Sequence, residues 1–93
     1  MALKKQIELE NGVMVNYHRI VSINKITNKQ IIIEVASYTS KEKRQEEIDK
    51  EGQEMNIFIE TTYLNKKYNE SDSIQDLYNY LKTTEKFANA EDI

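Results

Sequence analysis

At 93 residues and a formal charge of −3, from 13 basic and 16 acidic side chains, the chain has room for one domain and offers no broad electrostatic pull on nucleic acid or anionic lipid. It has no cysteine, which excludes thiol nucleophiles, disulfides and zinc–thiolate sites. A hydrophobic content of 39% suffices for a folded core, but a chain this short buries only about 60–65% of its unfolded surface, a thin margin that oligomerisation can widen.

The lysines near the N-terminus are followed by no apolar run, so the segment does not read as a signal peptide. No stretch approaches the roughly 20 apolar residues of a membrane span. Asn69-Glu70-Ser71 matches a glycosylation acceptor, a match ascribed to chance without a secretory signal.

Leu3, Ile7 and Leu9 alternate with Lys4, Gln6, Glu8 and Glu10, predicting a half-buried strand over 3–9. Asn11-Gly12 follows and predicts a tight hairpin with a type I′ turn. The next run, 13–26, puts Val13, Val15, Tyr17, Val21 and Ile23 on one parity and Met14, Ile20 and Ile26 on the other. A strand this long is expected to bend or carry a bulge. Thr27-Asn28-Lys29 supplies a polar turn. The run 30–39, dense in β-branched residues around Ile31-Ile32-Ile33 and Val35, reads as a central strand, and 55–64 as a fourth.

Residues 40–54 between those strands are almost wholly polar. Lys41 to Glu47 favours helix intrinsically but has no apolar stripe to bury. The segment is expected to be a long solvated arm, loosely helical or extending the two strands, with Gly52 helping the chain return. A helix is predicted over 74–86, capped by Ser73 with Asp76 three residues on, and Ile74, Leu77, Tyr78 and Leu81 share its buried face. The acidic tail Glu91-Asp92-Ile93 is expected to fray. The fold class is therefore α+β: a four-stranded antiparallel meander with a long charged connection between its third and fourth strands and one C-terminal helix.

Few residues suggest chemistry. The sole histidine, His18, lies mid-strand on the mainly polar parity, where a surface or cross-strand hydrogen-bonding role is expected rather than a general base. Two glycines build no phosphate-cradling loop. Glu46, Glu47, Asp49 and Glu51 lack the spacing of a calcium loop. Tyr17-His18-Arg19 and Asn65-Lys66-Lys67-Tyr68 are faint stacking platforms for single-stranded nucleic acid, against which the acidic balance weighs. No catalytic, metal or cofactor residue is assigned, and no enzyme, nucleic-acid, membrane or small-molecule role is expected.

Six tyrosines and strands without proline point instead to protein–protein contact, since tyrosine is enriched at interfaces and an unblunted strand edge can pair with another chain. The candidate contact residues are Tyr38, Lys41, Arg44, Glu47, Tyr68 and Tyr80. Tyr78 falls on the helix stripe and is expected in the core, whereas Tyr80 lies off it. The bland reading, that the tyrosines merely cover a sheet face, stands beside this one.

Leu9-Glu10-Asn11-Gly12-Val13, Tyr17-His18-Arg19-Ile20 and the run from Ile33-Glu34-Val35 to Lys43-Arg44 resemble a family of small proteins from phages and prophages of Firmicutes. So do Ile59-Glu60-Thr61-Thr62-Tyr63, Tyr78-Asn79-Tyr80-Leu81-Lys82 and Ala90-Glu91-Asp92-Ile93. The resemblance covers nearly the whole chain. It implies a virion component of the tail or baseplate, made in the host cytoplasm and working as repeated copies beside other tail proteins, and it brings no catalytic residues. A small phage-encoded protein that binds and modulates a host protein is the alternative.

Overall fold

The alternating runs become the strands β1 (Leu3–Glu8), β2 (Met14–Ile26) and β3 (Gln30–Tyr38) of a computed structural model that describes residues 1–50 and 57–93. A helix, α1 (Lys41–Asp49), follows, then β4 (Glu60–Lys67), a second helix α2 (Ile74–Leu81) and a short β5 (Glu91–Asp92). The strands form one antiparallel sheet in the order β4-β3-β2-β1-β5, so the class is α+β with five strands and two helices.

The differences from the sequence reading have local causes. The first hairpin is not type I′. Gly12 alone of the two turn residues takes positive φ (83°), and the amide of Gly12 donates to Leu9 O at 2.9 Å. The Asn11 carboxamide oxygen accepts from the Val13 amide instead, giving a three-residue loop that ends in left-handed glycine. The second turn uses Asn28 at φ 61°.

The polar segment is a true helix where it is described, with Ser40 capping it through the Lys43 amide. Residues 51–54 of the expected arm, including Gly52, and the start of the expected fourth strand at Met55 and Asn56 lie outside the described residues. The strand itself sits later than 55–64: the Ile57 amide is taken by the Glu47 carboxylate, and regular pairing starts at Glu60 opposite Ser37 and runs to Lys67 opposite Gln30.

Helix α2 stops at Leu81 rather than near 86. The hydroxyls of Thr83 and Thr84 cap the carbonyls of Tyr80 and Leu81, offering the backbone an alternative to another helical turn. The tail does not fray but pairs with β1 as a fifth strand, held further by Lys82 Nζ on Asp92 at 2.8 Å.

Two register shifts shape the sheet. Ile20 faces Val35 and Ser22 faces Glu34, so Val21 is an extra residue in β2. The bulge reconciles the two parities: Ile20 before it and Ile23 after it both pack on the core. A second shift lies between Lys4 and Ile7 of β1, on either side of which Leu3 and Ile7 both pack on that core.

The core gathers Leu3, Ile31, Ile33 and Val35 from the sheet under Leu77, Tyr78 and Leu81 of α2, with Phe87 and Ala90 from the segment after it. Ile74, expected on the buried stripe, is 57% exposed at the helix start. The Tyr78 hydroxyl accepts from the Ile20 amide beside the bulge (2.9 Å) and donates to Met1 O (3.0 Å). Lys86 links the first and fourth strands, its ammonium on Glu60 and Thr62 of β4 while its carbonyl accepts from Lys5 of β1.

Candidate protein-contact surfaces

The face of the sheet opposite α2 carries α1 at one end. No residue of that helix is buried, and its one large apolar side chain, Ile48, points to solvent. Apolar packing therefore does not hold it. One carboxylate does: Glu47 accepts from the Tyr38 hydroxyl at 2.7 Å, from Arg44 at 2.9 Å and from the Ile57 amide at 3.0 Å.

Burial pushes the Glu47 carboxyl up, but the hydrogen bonds from Tyr38 and Ile57 and the charges of Arg44 and Arg19 outweigh it and hold the pKa below the usual carboxylate value. Burial, and then the bond to Glu47, push the Tyr38 phenol up. The Tyr38 ring is sealed between Tyr17 (centroids 5.7 Å apart) and Phe58 (6.5 Å), both edge-on.

Three of the six expected contact residues, Tyr38, Arg44 and Glu47, thus meet in one internal cluster. Tyr38 is fully buried, and its role there is to dock α1. Lys41 is exposed at the first turn of the helix, beside Tyr17 and Ile93. Tyr68 packs partly buried against the core. Tyr80, expected off the α2 stripe, is likewise partly buried against the core, its hydroxyl on Asn65 O at 3.0 Å and the Lys66 ammonium 5.7 Å from its ring centroid.

His18 is also internal. Its Nε2 meets the Lys5 carbonyl at 2.8 Å, and a carbonyl only accepts, so Nε2 carries the proton and Nδ1 accepts from the Ser37 hydroxyl, also at 2.8 Å. With Phe87 edge-on against the ring, His18 and Ser37 are 1% and 0% exposed. The pair is a cross-strand hydrogen bond, one of the two roles expected, but it lies inside the core and not at the surface, because the parity that His18 shares with Ile20 ahead of the bulge faces the core. Burial holds the imidazole pKa below its ordinary value.

Beyond α1, among the described residues, no element covers the outer face of the sheet. Ser22, Glu34 and Tyr63 form a row across three strands, the Ser22 and Tyr63 hydroxyls each donating to Glu34 at 3.0 Å. Tyr63 is 66% and Ile59 46% exposed. Both lie in or next to β4, the outermost strand, and among the described residues no strand pairs with its outer edge. The sequence reading did not single out this tyrosine among the six, because alternation does not say which parity of β4 faces the core; Leu64 is the residue of β4 that packs there.

Among the described residues no helix is long and apolar enough to cross a membrane, and no three His, Cys, Asp or Glu side chains are placed to share a metal ion. Comparison of the chain with protein-family models, with curated proteins and with solved structures found no match.

Proposed function

We propose that this protein works through protein–protein contacts as an assembly subunit of a phage or phage-like tail or baseplate, present in several copies beside other tail proteins. The observation that carries the contact role is β4: a strand eight residues long, unpaired outward among the described residues, with Tyr63 standing from its open face. An unpaired edge offers backbone donors and acceptors to another chain, and an exposed tyrosine adds amphipathic contact area. The tail or baseplate assignment rests on the resemblance in sequence to the phage and prophage family. Its place in the virion follows from the same resemblance.

Light scattering and sedimentation of the purified chain test the contact role: oligomers that weaken in Tyr63→Lys support it, and a monomer at high concentration overturns it. Mass spectrometry of purified virions tests the location. Absence from particles, with a stoichiometric host protein captured from lysate, would favour the modulator of a host protein instead.

A further inference from the structure

The two ends of the β3–β4 ladder carry opposite charge and different shapes. At the end where β4 begins, the β1–β2 loop and the strand start enclose a groove of about 520 Å³. Its apolar lining is Ile7, Leu9 and Ile59, and its carboxylates are Glu8, Glu10 and Glu60. Glu60 is neutralised by Lys86 at 2.9 Å, whereas Glu8 and Glu10 are exposed and have no cationic partner among the described residues.

At the other end the β2–β3 turn carries Lys25, Thr27, Asn28 and Lys29, all exposed, next to Lys67 of β4, with the Lys25 ammonium also donating to the Asp72 carbonyl at 3.0 Å. None of those three lysines pairs with a carboxylate among the described residues; Lys66 is paired with Asp72 at 2.6 Å, and Glu70 also lies there. The seven residue steps from Glu60 to Lys67 set the two ends about 24 Å apart at a strand rise near 3.4 Å.

We propose that the basic β2–β3 turn of one copy seats in the acidic, apolar-floored groove of the next, so that copies of this chain associate head to tail. This deepens the assembly reading above and rests on it. Three features carry it. Unpaired charges of opposite sign lie at opposite ends of one rigid ladder, the groove is concave where the turn is convex, and the exposed Ile59 gives the seat an apolar surface to cover. An interface that joins two different patches repeats from copy to copy and does not stop at a dimer.

Sedimentation at low salt tests it with paired charge reversals. Lys25→Glu with Lys29→Glu, and separately Glu8→Lys with Glu10→Lys, should each weaken self-association about tenfold or more, equivalent to about 1.4 kcal/mol. Neither variant pairs well with itself, but their intact ends match each other and so do their reversed ends, so a mixture of the two should recover assemblies of alternating copies. Carrying all four reversals in one chain should restore the wild-type assemblies, which also excludes misfolding as the cause. Lys41→Glu with Lys43→Glu makes the same change in net charge as the turn variant and should leave assembly intact. If the wild type assembles and the reversals change nothing, the head-to-tail geometry is wrong while the assembly reading survives. A wild-type chain that stays monomeric overturns both.

Discussion

The hydroxyl of Tyr38, the last residue of β3, donates to the carboxylate of Glu47 in the last turn of α1 over 2.7 Å, and this contact joins a helix without an apolar face to the sheet. A helix of such composition has little reason to persist alone, since nine residues are too few for stable helix in water. Its order depends on the groups that converge on that one side chain.

Glu47→Gln should therefore loosen α1 selectively. Hydrogen bonds to a charged group contribute about 1.5–3 kcal/mol, and the amide cannot accept all three on equal terms. Hydrogen exchange should accelerate across 41–50 while β2 and β3 keep their protection. The folded pKa of Glu47 lies below its ordinary 4.5, so its contribution is full above that pH and is lost as the pH falls through the folded value. Acid should release the helix before the sheet melts, and uniform exchange across the chain would contradict this.

His18 gives a second pH dependence in a different window. Burial lowers its folded pKa below 6.5, opposed by the Lys5 carbonyl and helped by the charge of Lys86; Glu60 opposes and the Lys5 charge helps more weakly. The neutral ring is the one that packs, so stability is full above pH 6.5 and declines as the pH drops from there through the folded pKa. Denaturation midpoints of the wild type should slope downward over that interval, and His18→Gln should flatten the slope even where it lowers overall stability.

Tyr78→Phe should cost about 1–3 kcal/mol, because it leaves the Ile20 amide without its hydroxyl acceptor beside the bulge. Urea midpoints check this. A change within a few tenths of a kcal/mol would mean that water replaces the hydroxyl.

Ser73 and Asp76 satisfy each other's backbone amides at the start of α2, at 3.2 and 2.9 Å. Ser73→Ala should cost about 1 kcal/mol, as loss of a helix cap usually does, read from the thermal midpoint.

Local patterns fixed much of this architecture in advance. The β-branched run of β3, the Ser73–Asp76 cap and the stripe of Leu77, Tyr78 and Leu81 depend on neighbours within one element, and each is legible in the sequence. What escaped depends on partners far along the chain. The α1 helix carries its own signal in Ser40 and the helix-favouring residues after it, but its anchor, Tyr38, sits outside any helical period. Tyr63 faces outward and His18 inward because the core covers the parity of Leu64 in β4 and of Ile20 in β2, and alternation alone does not reveal which parity is covered. The β5 strand is two residues long, too short for a periodic pattern.

Val21 exposes 37% of its surface and has no cross-strand partner, so exchanging its side chain should disturb little. Its presence matters more than its identity. Omitting it would leave the same residues facing inward while straightening the longest ribbon in the molecule, and Lys86 would then have a wider span to bridge between the first and fourth strands. Positional scanning would rank this site as neutral, whereas shortening the chain there by one would show it to be a determinant of curvature.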